Sequence, residues 1–167
     1  IEQSTFNEMQ RLENLDSRIK FYEYNVPFNY SDINNYAVNN YAKGEHIILL
    51  NNDIEIITPE WIENMLEHSQ RDEVGCIGAK LYYPNDAIQH AGVIVGLGGV
   101  AGHSHKYFER SISGYFHRLE LIQNLSAVTA ACLMVKIKIF KELNDLKKKN
   151  LEIAFNDVDF CLRVQEE

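Results

Sequence analysis

Positive charge is scarce in this sequence. Sixteen Lys and Arg face 24 Asp and Glu, for a formal net charge of −8, and the densest basic cluster is Lys147-Lys148-Lys149. A nucleic-acid footprint needs a basic face that neutralises phosphates. None is visible, so nucleic acid is excluded as a partner and the lysine run reads as a solvated loop or helix end. Cysteine is also scarce: Cys76, Cys132 and Cys161 are far apart, odd in number and set in apolar stretches, with no C-x-x-C spacing. They read as small buried hydrophobes in a reducing compartment, which points to the cytoplasm. No apolar run approaches the roughly 20 residues that span a bilayer. The opening residues Ile1 to Thr5 are no signal peptide. Internal repeats and linker-like shifts of composition are missing as well, so one domain is expected over residues 1–167.

What is present suits a folded domain. The chain has 167 residues, 46% hydrophobic and 24% charged, which is long enough to bury a core and outside the disordered and fibrous ranges. Phe6, Met9, Leu12 and Leu15 have helical spacing, with Ser4 as N-cap. Ile19 to Tyr24 alternates and is rich in aromatics, which predicts a strand. Ser31 caps a second predicted helix with Ile33, Ala37 and Tyr41 on one stripe and Gly44 as its stop. His46 to Leu50 is a short continuous apolar run, the pattern of a strand buried on both faces as in a parallel sheet. Thr58-Pro59-Glu60 starts a third helix. Val74 to Tyr83, Ile88 to Val95 and Leu125 to Val135 read as extended, Gly96 to His105 as a mobile glycine-rich loop, and Ile137 to Leu143 as a short helix. A last helix follows Asn156-Asp157-Val158-Asp159. Alternating helices and strands predict an α/β layer structure, its central strand including Ile47 to Leu50.

Four sequence features could carry chemistry. Asn51-Asn52-Asp53 follows the apolar strand directly, and ligands of open α/β sheets bind beyond the carboxyl ends of strands. Asp53 there could hold a hard cation, since Mg²⁺ uses one or two carboxylates plus substrate phosphates; the triplet is also a common turn composition. Asp157 and Asp159 could act as general base or as metal ligands, or cap a helix N-terminus. His103 and His105 would share one face of an extended segment, which suits either a transition metal or hydrogen bonding to a phosphate or sugar. Gly96-Leu97-Gly98-Gly99-Val100-Ala101 superficially matches a dinucleotide fingerprint, but no helical pattern follows it.

Many blocks in one order carry a family resemblance. They include Pro27 to Ser31, Ala42-Lys43-Gly44, Leu49 to Asp53, Thr58 to Trp61, Val74 to Leu81 and Ile88-Gln89-His90-Ala91-Gly92. Gly102 to Lys106, Val128 to Val135 and Asn156 to Arg163 complete the set. From about Ile1 to Arg163 the chain resembles family 2 glycosyltransferases, inverting enzymes of the GT-A fold. It is most similar to the bacterial branch of rhamnosyltransferase-like and O-antigen or polysaccharide synthesis enzymes. The resemblance implies an incomplete GT-A-like mixed sheet flanked by helices, a nucleoside-diphosphate sugar donor, and a glycan or lipid-linked acceptor. It implies that Asn51, Asn52 and Asp53 stand at the Asp-x-Asp motif, with Asp53 coordinating Mn²⁺ or Mg²⁺. Asp157 would deprotonate the acceptor hydroxyl, with Asn156 where glutamate is usual. His103, His105, Thr129 and Asn156 would form the acceptor or phosphate loop.

Against that family the chain lacks a first strand and a C-terminal histidine. It is therefore expected to be a central piece of a catalytic domain, cytoplasmic or peripheral at the inner membrane face in its full-length form. The isolated piece is expected to bind neither metal nor nucleotide and to self-associate. Two other classes stay open: a non-catalytic GT-A-like carbohydrate- or partner-binding module, and a nucleotidyltransferase on a related fold.

Overall fold

The computed structural model describes residues 2–167. Within them the elements run α1 (Gln3–Leu15), α2 (Tyr30–Tyr41), β1 (His46–Leu50), α3 (Trp61–Ser69), β2 (Cys76–Gly78), β3 (Leu81–Tyr82) and β4 (Ile88–His90). The chain continues with β5 (Val93–Val95), β6 (Ala101–His103), β7 (Cys132–Lys136), α4 (Ile137–Glu142) and α5 (Asn156–Glu166). The protein is mixed α/β, as its alternating pattern predicts. Among the described residues no helix is long and apolar enough to cross a membrane.

β7 is the centre of the structure. The main sheet has three strands in the order β1-β7-β2, both pairs antiparallel. Alternate residues of β7 enter different cores. Leu133 and Val135 join Ile47, Leu49, Val38, Phe140 and Phe160 on the face covered by α2, α4 and α5. Cys132 and Met134 join Met65 and Leu81 on the face covered by α3. Each of these large side chains contributes about 1.5–3 kcal/mol when taken fully from water, so a strand buried on both faces anchors both layers. Two further antiparallel pairs, β3–β4 and β5–β6, form two separate two-stranded sheets.

This architecture corrects several expectations. The run His46 to Leu50 is a strand, but it lies at the sheet edge and pairs antiparallel with β7. Ile47 and Leu49 are buried, Ile48 is half-buried and Leu50 is exposed, so the continuous apolar run overstates burial on the second face and is silent about strand direction. Ile19 to Tyr24 forms no strand; its alternate residues Tyr22 and Tyr24 stack on Tyr41 and Tyr36 of α2 at 3.5 and 3.9 Å between ring centroids. The predicted strand from Val74 to Tyr83 is cut in two after Gly78, where a Cβ would lie 2.4 Å from Val128 Cβ. Residues Gly96 to His105 are less loop-like than expected: after a tight glycine turn, β6 pairs with β5.

Helix starts also differ. Asn29, not Ser31, caps α2, its Oδ1 accepting from Asp32 N–H at 2.9 Å. Ser31 is buried and its hydroxyl donates to Leu151 O at 2.9 Å. Glu2 precedes α1 and no side chain caps it, so Ser4 is inside the helix. Pro59 lies in a turn and α3 begins at Trp61.

Candidate functional site

The long predicted strand from Leu125 to Val135 is regular only from Cys132. Its first half is diverted because its backbone donors go to side chains instead of a ladder. Thr129 N–H donates to His90 Nε2 at 3.3 Å, Ala130 N–H to Asp157 Oδ2 at 3.1 Å, and Ala131 N–H to Thr129 Oγ1 at 3.4 Å. The carbonyls are used too: Tyr30 Oη donates to Ala130 O at 2.8 Å and Asn51 N–H to Ala131 O at 3.0 Å. Three residues before β7 thereby gather the ends of β1 and β4 and the starts of α2 and α5.

A cavity of about 230 Å³ opens beside this segment, lined by Asn51, Gln89, His90, His103, Lys106 and Thr129 among others. His90 is almost fully buried. Its Nδ1 lies 2.8 Å from His103 Nδ1, and its Nε2 accepts from both Gly92 N–H and Thr129 N–H at 3.3 Å. Burial, and secondarily the neighbouring His103, push the His90 pKa down to about 3. Burial also lowers that of His103, with Lys106 adding to the effect and Asp157 opposing it. Tyr30 is pushed up to about 12, first by burial and then by the Asp157 charge.

Asp157 opens α5, with Oδ1 accepting from Val158 N–H at 2.8 Å and Oδ2 from Ala130 N–H. Asp159 is turned elsewhere, into ion pairs with Lys147 and Arg163 at 2.8 Å each. Asn156 is buried and donates to Leu151 O at 3.4 Å, so its amide holds the preceding loop. Asn51 lines the cavity, while Asn52 and Asp53 occupy an exposed turn just beyond β1.

The two loop histidines do not share a face. His103 ends β6, but His105 follows in a turn at φ 53°, its Nδ1 2.6 Å from Ser104 Oγ. That separation removes the transition-metal reading of the pair, and among the described residues no three His, Cys, Asp or Glu side chains cluster as a metal cage. Asn51, His103 and Thr129 meet at one cavity, with Asp157 joined to it through Ala130; Asn52, Asp53, His105 and Asn156 are not among its lining residues.

Sequence reasoning about individual residues missed His90, Tyr30, Gln89 and Lys106. Besides its place in the block Ile88 to Gly92, a signal for His90 was its phase: it shares the buried side of β4 with Ile88, an apolar position. A larger hollow of about 800 Å³ lies between α2 and residues 144–150. Several of its polar groups bond one another, in Lys148–Asp32, Asn39–Asp145 and the two hydrogen bonds between Asn35 and the Leu146 backbone.

No family model matches the chain. Over 165 residues it is 48% identical to the uncharacterized protein y4gI of Sinorhizobium fredii, covering 99% of this chain and 18% of that protein. Over 151 residues it is 37% identical to the O-antigen biosynthesis protein RfbC of Myxococcus xanthus, covering 90% of this chain and 12% of that protein. The chain thus spans less than a fifth of the length of either relative.

Proposed function

We propose that the chain is catalytic machinery of an inverting glycosyltransferase of GT-A type in polysaccharide biosynthesis. It would move a sugar from a nucleoside-diphosphate donor to a hydroxyl of a glycan or lipid-linked acceptor. The observation that carries this reading is the junction before β7. There Asp157 bonds Ala130 N–H while Asn51 bonds the next residue, Ala131. The two acidic segments singled out by the family resemblance are therefore bonded to adjacent residues of the segment that leads into β7. Similarity to an O-antigen biosynthesis protein supports the pathway class.

The division of labour follows from the chemistry. Asp157 takes the proton of the acceptor hydroxyl as that oxygen bonds the anomeric carbon, and the bond from that carbon to the diphosphate breaks with its electron pair on the leaving oxygen. Two backbone N–H groups hold the Asp157 carboxylate in place. Asn51, Thr129 and His103 offer neutral polar groups to the ligand and Lys106 a positive one.

Asp53 would hold Mn²⁺ or Mg²⁺. One exposed carboxylate fits a hard cation that takes its other ligands from phosphate oxygens and water, and would not fit a closed protein cage. When bound, such a cation neutralises charge on the departing diphosphate.

In the full-length protein, Asp157→Asn is expected to lower kcat by about 10²–10⁴-fold, the usual contribution of a general base. Donor binding should change little, because a base that acts in the transition state leaves ground-state affinity alone. Steady-state kinetics with calorimetry of UDP or dTDP binding reads both. Turnover near the parent level would remove the base role from Asp157, and Asp159 is already committed to Lys147 and Arg163.

A further inference from the structure

We infer that His90 is a positioning residue that fixes His103 as a neutral Nε2–H donor, aimed at a ligand oxygen in the cavity beside Asn51 and Lys106. The inference rests on the proposed transferase reading for the identity of the ligand, and on proton accounting alone for the state of the two rings.

The accounting starts at the backbone. His90 Nε2 faces two N–H donors, those of Gly92 and Thr129, at 3.3 Å. A nitrogen that accepts from N–H groups carries a lone pair and no proton. The proton of neutral His90 is therefore on Nδ1, which faces His103 Nδ1 at 2.8 Å. His103 Nδ1 must then accept, and its own proton resides on Nε2. The order of donors is set from end to end: backbone N–H, His90, His103, ligand.

Two other roles for His103 conflict with this order. As a general base or as a metal ligand through Nε2, it would need its proton on Nδ1, opposed to the proton on His90 Nδ1. His90 could relieve the clash only by moving its proton to Nε2, against both amide donors. A cationic His103 meets the same opposition. Burial of His90 and the position of Lys106 at the same cavity disfavour positive charge on either ring.

The cavity states the ligand chemistry. Its lining includes two side-chain amides, two hydroxyls (Tyr83 and Thr129), one ammonium and the His103 ring, and no carboxylate. That set suits an oxygen acceptor, either a phosphoryl oxygen of a diphosphate or a sugar hydroxyl.

Long-range ¹H–¹⁵N spectra of histidine-labelled chain at pH 7 test the ring states. The expected result is His90 protonated at Nδ1 only and His103 at Nε2 only. A cationic ring, or His103 protonated at Nδ1, overturns the inference.

Titration of the histidine-labelled full-length protein with inorganic pyrophosphate in one arm and a methyl glycoside in the other tests the ligand. A shift of the His103 Nε2 resonance with either supports the assignment and names the source; no shift with either overturns the donor role. His90→Gln retains one acceptor and one donor and should keep the His103 tautomer. His90→Phe retains the bulk without either group, and should scramble the tautomer and weaken about tenfold the binding of whichever probe shifts His103, as expected for one lost hydrogen bond. Equal affinity in His90→Phe and the parent overturns the positioning role. If the ring states are as stated but the full-length protein transfers no sugar, the transferase reading fails and the His90–His103 assignment stands.

Discussion

Asp157 and Asp159 are both acids of one short motif, and nothing local in Asn156-Asp157-Val158-Asp159 ranks them. Helical geometry separates them. Two residues apart on a helix of 3.6 residues per turn, they point to nearly opposite sides. One reaches Ala130 beside the cavity and the other reaches Lys147 and Arg163. Gly92 makes a comparable residue-scale contribution. At φ +96° it occupies a conformation that favours glycine, and a Cβ there would lie 2.3 Å from Leu125 Cδ1. Its N–H is one of the two donors that orient His90. Asp53 belongs to the same scale. In the full-length protein Asp53→Ala is expected to raise the Mn²⁺ concentration needed for half-maximal activity and to weaken donor binding. A metal titration of activity checks this, and an unchanged metal requirement would place the cation elsewhere.

At the scale of elements, the link between α4 and α5 carries a polar clamp beside its buried Leu146. Arg163 Nε pairs with Asp159, while its Nη1 and Nη2 donate to Leu143 O at 2.6 Å and Asp145 O at 3.0 Å. Asp159 shares its charge with Lys147. Removing one partner leaves the half-buried Arg163 guanidinium without its carboxylate, a loss of about 1–3 kcal/mol. Asp159→Ala is therefore expected to lower stability by that amount in urea unfolding while leaving nucleotide affinity within about twofold. A large affinity loss at unchanged stability would mean that Asp159 touches ligand. The same scale explains the missing strand at Ile19 to Tyr24. Alternating aromatics predict a pleated surface, and here the alternation serves tyrosine stacking on α2.

For the whole molecule, acid sensitivity follows from His90. Its folded-state pKa of about 3 lies below the ordinary histidine value of about 6.5, so the unfolded chain takes up the proton first. Stability is full above about pH 6.5 and falls as pH drops toward 3, by about 1.4 kcal/mol per pH unit. Between pH 7 and pH 5 His90 should thus account for about 2 kcal/mol of lost stability. His90→Gln is expected to remove that share of the slope, measured as urea midpoints at the two pH values for parent and variant. Equal slopes would show that His90 is protonated in the folded state or exposed. Any self-association, by contrast, is expected to use the sheet edge. Among the described residues no strand pairs with the outer side of β1, and an open edge is a template for another chain.

By itself the sequence determined the local order. Helical spacing marked four of the five described helices and suggested the short α4, and the apolar run placed Asn51 to Asp53 directly after a strand. These features depend on neighbours within a few residues, which composition and period report. Only the tertiary structure decided that β7 is central, that the main sheet is antiparallel, and that Thr129 to Ala131 give their backbone donors to side chains 2 to 39 residues away. It also decided which histidines meet. His103 looked like a partner of His105 two positions on, yet its ring meets His90, thirteen positions back. Pairing across such separations is set by how β4, β6 and the chain before β7 pack together, and no local period in the sequence encodes that packing.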